Sequence, residues 1–219
     1  MRSIRIMVSV GAAVGVALCW PGAGTASAAT DVPKGFLIYE RADRPRPVVT
    51  VDGRPRWRVV NSAHGILWVN PCQDAGLGTK GRIAVRRAWL EAPAAAQMEE
   101  VALYRDVSAA RKAMTDLRAA LRRCAKIDDG AGDGRDVRWT GTPARIGDEA
   151  LQVAMQAYHG TRPTIHGQRA VVARKGSAVF LYAHTDETSR APSPADFRRH
   201  ASDAVRMARL VCALDDVCR

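Results

Sequence analysis

The sequence predicts an α+β fold: a mostly antiparallel sheet with two main helices packed on it and two disulfides. Three observations predict it. Several segments between residues 82 and 186 place apolar residues at every second position. Two others, at 110–124 and 197–211, repeat them at three- and four-residue steps. The order is strands, helix, strands, helix, which suits helices packed on an antiparallel sheet rather than alternating βαβ units.

The first thirty residues, MRSIRIMVSVGAAVGVALCWPGAGTASAAT, stand apart. Arg2 and Arg5 precede fifteen uncharged, mostly apolar residues at 6–20, then a Pro-Gly break and Ala26-Ser27-Ala28. This is the charged, apolar and small-residue order of a secretory signal peptide, cleaved after Ala28. A membrane span needs about 20 apolar residues without a break, and this run is shorter. Lipidation at Cys19 is the weaker alternative, since bulky Leu18 and Trp20 flank it. No other stretch is apolar enough to span a bilayer. The expected mature chain is soluble and exported, with residues 29–64 an irregular N-terminal extension and 65–219 the folded domain.

Cleavage removes Cys19 and leaves Cys72, Cys124, Cys212 and Cys218. An even number of cysteines in an exported chain reads as disulfides. Four cysteines allow three pairings, and Cys72–Cys124 with Cys212–Cys218 is preferred. The five residues ALDDV between the last two suffice for a turn. No Cys-x-x-Cys occurs and no histidine has ligand spacing to a cysteine, so neither a metal nor a cofactor is expected.

The net charge is +11, or +9 without Arg2 and Arg5, and arginine carries nearly all of the surplus. Such a surface suits anionic lipid, acidic wall polymers or nucleic acid, and export excludes the last. The plainer reading is a compositional excess of solvated arginines.

The elements follow in order. Residues 29–60 hold Pro45, Pro47 and Pro55 among basic residues, allowing short edge strands at most. HGILWVNPC is a short apolar run, and DAGLGTKG is a loop with three glycines. RIAVRRAWLEA, starting at Arg82, alternates as a slightly irregular strand, and PAAA turns the chain. QMEEVALYRD sets Met98, Val101 and Leu103 against Glu99, Glu100 and Arg105. It reads as a strand, with one long helix as the alternative, because Val101 to Tyr104 are β-prone and DVS supplies a helix start. SAARKAMTDLRAALRRC then carries an apolar stripe of Ala110, Met114, Leu117, Leu121 and Cys124, with Arg111, Lys112, Arg118 and Arg122 off it in water. DDGAGDG breaks that helix. EALQVAMQAY alternates, and QRAVVARKGSAVFLYAHTD forms two strands joined near Lys175-Gly176-Ser177. In SPADFRRHASDAVRMARLVC, Ser193 caps a helix begun by Pro194. Its inward residues are Phe197, Ala201, Ala204, Val205, Ala208 and Val211, while His200 lies in the polar run.

The strand ending at Tyr104, the helix to Cys124, ARIGDEAL at 144–151, the paired strands AVVARKGSAVFLYAH and the closing helix resemble the PknH-like extracellular sensor domain of actinobacteria. The resemblance covers roughly residues 65–219. It implies an antiparallel sheet with helices, two disulfides, a cleft and a ligand-sensing role, but it carries over no ligand and no contact residue. Unlike the kinase-borne members, this sequence shows neither a kinase domain nor a transmembrane helix.

Nothing in the sequence names a reaction. Gly-x-Ser-x-Gly and His-Glu-x-x-His are absent. His159 and His166 flank GTRPTI, read as a loop, and His184 with Asp186 is a base-and-orienter pair only if the two bond. Asp128-Asp129 and Asp215-Asp216 read as turn residues, and His64 stands alone. The expectation is a secreted, non-enzymatic ligand-binding or sensor-type protein with an unknown small molecule or cell-wall component as partner. The alternative is a secreted basic binder of a protein or anionic wall polymer, with Arg118 and Arg122 among its contacts. An unrecognised hydrolase ranks last.

Overall fold

The computed structural model describes residues 31–41, 56–92, 95–128, 134–187 and 194–219. The expected signal segment, Pro93-Ala94 of the turn expected at PAAA, residues 129–133 of the DDGAGDG break and the expected Ser193 cap lie outside them. The strands are β1 (Arg56–Asn61), β2 (Arg82–Ala92), β3 (Ala95–Tyr104), β4 (Lys126–Asp128), β5 (Arg135–Ala144), β6 (Glu149–His159), β7 (Arg162–Lys175) and β8 (Ala178–Asp186). The helices are α1 (Val107–Arg123) and α2 (Pro194–Leu210). Among the described residues the eight strands form one sheet in the order β1-β2-β3-β8-β7-β6-β5-β4, and every neighbouring pair is antiparallel. The first three strands and the last five are two meanders, joined where β3 lies against β8.

The helices cover opposite faces of this sheet. On one face Ala110, Met114, Leu117 and Leu121 of α1 pack on Met98, Ala102, Val153, Val172 and Leu181. On the other, Ala204 and Met207 of α2 pack on Val101, Leu103, Val171, Phe180 and Tyr182. The Asp106 carboxylate caps α1 by accepting the Ala109 N–H at 2.6 Å. Alanine at 109, 110, 113 and 120 keeps that helix close to the sheet.

Two helical layers explain where simple alternation misleads. In a sheet covered on both sides, both sets of side chains in a central strand are buried. Glu99 and Glu100, expected to face water, are 0% and 1% exposed. In α2 the inward face carries His200 and Met207 rather than Val205, which is 39% exposed. Arg118 is not a solvated cation: it pairs with Glu149 at 2.6 Å. The extension supplies more than edge structure. Val32, Leu37, Ile38 and Tyr39 join the core under α2, and Ile38–Glu40 forms a 3-10 turn. GTRPTI is a two-residue turn at Gly160-Thr161 followed directly by β7, whose register with β6 shifts between Gln156 and Tyr158. β5 was not expected at all.

Both preferred disulfides are present, Cys72–Cys124 and Cys212–Cys218. The second closes a C-terminal turn against the β7–β8 hairpin, where Ser177 donates its N–H to the Val217 carbonyl at 2.8 Å. Gly176 sits at φ +56°, and a Cβ there would stand 1.7 Å from the Val217 carbonyl oxygen. Gly176→Ala combines a left-handed backbone with that clash, and is expected to cost about 2 kcal/mol in urea unfolding. An unchanged midpoint would show that the C-terminal turn is not docked on the hairpin.

Candidate functional site

Between β1 and β2 the chain crosses the α1 face of the sheet as a loop, residues 62–81, held by side chains of β2 and β3. Arg82 donates to the carbonyls of Ala63 and Gly65. Arg87 donates to the Ile66 carbonyl at 2.9 Å and is itself held by Glu100, 2.7 Å from its Nε. Burial pushes the Glu100 carboxyl up, and Arg87 opposes the shift. Tyr104 donates its hydroxyl to the Gly78 carbonyl at 2.6 Å. Asn70 brackets the bend, donating to the Asp74 carbonyl at 2.9 Å and accepting the Asp74 N–H at 3.0 Å. Cys72, bonded to Cys124 at the end of α1, fixes the far arm.

Held this way, the loop alternates. Leu67 and Val69 enter the core, while Ile66 and Trp68 remain 40% and 38% exposed. The outward pair forms one wall of a groove of about 410 Å3. The sheet supplies the remainder through one row of cross-strand neighbours: Trp139 of β5 opposite Met155, Met155 opposite Gln168 of β7, and Gln168 opposite Thr185 of β8. Trp139, Gln168 and Thr185 line the groove. Trp139 lies just beyond α1, where its backbone N–H donates to the Ala125 carbonyl at 2.8 Å. Gln168 is 4% exposed, and among the described residues its Nε2 has no hydrogen-bond partner. A buried donor without an acceptor is uncommon and costly, and this one belongs to a side chain lining the groove.

Across the sheet a second, polar hollow of about 220 Å3 lies under the start of α2. Gln97, His184 and Arg169 are direct neighbours across β3, β8 and β7, and Arg199 and His200 face them from α2. The His184–Asp186 pair proposed as base and orienter is separated by 3.8 Å, beyond hydrogen-bond length. Asp216 pairs with Arg219 at 2.7 Å in the terminal turn, and Asp128 lies in β4. Among the described residues no group of three or more His, Cys, Asp or Glu is placed to hold a metal, and no helix is long and apolar enough to cross a membrane.

No ligand contact was assigned from the sequence, and the groove shows why. Trp68 lay in an apolar run, Gln168 within a strand, and Trp139 in a segment not expected to be a strand. Strand register and the anchoring of the 62–81 loop bring them together.

No protein-family model matches this chain, and no curated protein matches it. Among solved structures it is similar to the extracellular domain of PknH from Mycobacterium tuberculosis, at 12% identity and a TM-score of 0.44, over 72% of this chain and 83% of that one.

Proposed function

We propose that the protein is an exported, non-enzymatic ligand-binding module of the sensor type, which captures its ligand in the groove between Trp68 and Trp139. In this reading residues 1–28 are removed on export, 29–64 lead into the domain and add residues 32–39 to its core and β1 to its sheet, and 65–219 carry the groove. The groove supports it most directly: two indoles, a buried amide donor with no partner, and a wall braced by a disulfide. Pockets with apolar walls and a few fixed polar groups are where small ligands bind. The bridges themselves suit an oxidising compartment outside the cytosol.

Native mass spectrometry of the protein from culture supernatant, without reductant, tests this reading. The expected species begins at Ala29, weighs four hydrogens less than the reduced chain, and carries an adduct that Trp68→Ala removes. A lipidated Cys19 or four free thiols would overturn export. An adduct retained by Trp68→Ala and by Trp139→Ala would move the site away from the groove.

A second reading, a basic binder of an anionic wall polymer, draws on Arg111, Arg122 and Arg123, exposed on α1. Because Arg118 is paired with Glu149, the relevant substitutions are Arg122→Ala and Arg123→Ala. They should weaken retention on anionic wall material at low salt and matter little at 0.5 M NaCl, where the Debye length falls to about 4 Å. Retention insensitive to both salt and substitution would remove this reading.

A further inference from the structure

We infer that the ligand class of this groove is a neutral saccharide of one or two rings; this rests on the groove being the binding site. Three observations carry it. The first is charge. In a chain of net charge +11, none of the described residues lining the groove is charged. A site for phosphate, sulfate or a uronic acid would be expected to place a cation at the ligand, and here the arginines lie elsewhere. Arg82 and Arg87 are engaged by the loop's carbonyls, and Arg118 and Arg174 pair with Glu149.

The second observation is the pairing of surfaces. Trp68 and Trp139 offer broad, weakly polar indole faces, to which the C–H face of a pyranose is complementary. The third is the polar floor. Gln168 and Thr185 are direct cross-strand neighbours with Cβ atoms about 5 Å apart, so both polar groups can meet one ring. Among the described residues the Gln168 Nε2 lacks an acceptor, which a ring hydroxyl would supply. Asn70 is already bonded at both side-chain atoms within the loop, so the amides left for a ligand are Gln168 and exposed Gln73. An acyl chain would match the walls but leave the Gln168 donor unpaired under it, the unfavourable case for a buried polar group. The volume of about 410 Å3 lies near the small end for ligand clefts, which limits the occupant to a short unit.

Titration of the oxidised, exported protein with cellobiose, maltose and N,N′-diacetylchitobiose, read by tryptophan emission and calorimetry, tests the inference. At least one is expected to bind saturably, unaffected by 0.5 M NaCl, and about tenfold more weakly to Trp68→Ala and to Gln168→Leu. Gln168→Leu removes a buried donor and keeps the volume, so its melting temperature should not fall; this separates lost binding from lost folding. If the sugars fail while the apolar dye ANS, adenosine or an anionic galacturonate dimer binds and is displaced by Trp68→Ala, the saccharide inference is overturned and the groove reading survives. If no probe binds at millimolar concentration, both are overturned.

Discussion

Replacing Cys72 and Cys124 together by alanine is expected to destabilise the fold by about 4 kcal/mol, the loop-entropy value for a bridge spanning 52 positions. For a chain of this size that lowers the melting temperature by about 10 °C. The effect is not confined to stability, because of what the bridge joins. Cys124 is the C-cap of α1, and Cys72 follows the Ile66–Trp68 wall of the groove by four residues. Without the bridge, that arm of the loop keeps the Asn70 bracket, the Tyr104 hydrogen bond, its arginine contacts and the core packing of Leu67 and Val69. Ligand uptake should therefore fall beyond what the folded fraction explains. The comparison is Cys212→Ala with Cys218→Ala, whose bridge spans 6 positions and stabilises by about 2 kcal/mol in the same entropy treatment. It fastens the C-terminal turn to the β7–β8 hairpin and does not touch the groove. Urea unfolding of both double variants, with ligand or dye uptake measured on the folded protein, gives the answer. Equal losses of stability would refute the loop-entropy account. Equal uptake would show that the groove wall holds its shape without Cys72.

How far the sequence reaches is clearest in α1 and in β3. The stripe from Ala110 to Leu121 was legible because one face of α1 is buried and the opposite one is wet, the condition under which a 3.6-residue period shows. The hairpin at Gly176-Ser177 was legible through its turn residues. β3 was identified as a strand, but its faces were misread: polar Glu99 and Glu100 mark solvent only if one face is open. Here α2 and residues 32–39 close one side, and the 62–81 loop with α1 closes the other. The acids persist in the core because each is bonded, Glu100 to Arg87 and Glu99 to the backbone of the N-terminal segment. His200 was misjudged for a related reason, since its neighbours Arg198 and Arg199 made the run look solvated. β5 was missed because RDVRWTGTPA contains Gly141 and Pro143 and stays largely exposed near the sheet edge. The groove was beyond reach altogether. Trp68 and Trp139 meet through the pairing of four strands and one disulfide, and no local pattern encodes that meeting.

Glu99 provides the second large effect, and its sign can be worked out. Its carboxylate is fully buried under α2 and accepts the N–H groups of Ile38 and Tyr39 at 2.9 and 2.5 Å. It also accepts the Tyr182 hydroxyl at 2.6 Å. Burial pushes its pKa up to about 7, against the pull of those hydrogen bonds and with a further push from Asp203. The folded state therefore holds a proton here that the unfolded chain releases above about pH 4.5. For this group, stability is greatest below about pH 4.5, falls as pH rises to about 7, and is level beyond. The amplitude is on the order of 3 kcal/mol. Glu40 and Asp136, held low by hydrogen bonds from Arg86 and Arg138, act with the opposite sign and at more acid pH. Glu100 shifts in the same direction as Glu99, so the wild type alone does not isolate either. Glu99→Gln does, because it keeps the volume and removes one titration. Urea unfolding at pH 5 and pH 8 should show the wild type losing up to about 3 kcal/mol more than Glu99→Gln between the two. The variant itself should be weaker at pH 5 by about 1–3 kcal/mol, since its amide nitrogen faces donors it cannot accept from. Identical pH slopes in the two proteins would mean that Glu99 stays ionised through this range, held there by the Ile38 and Tyr39 amides more strongly than burial opposes it.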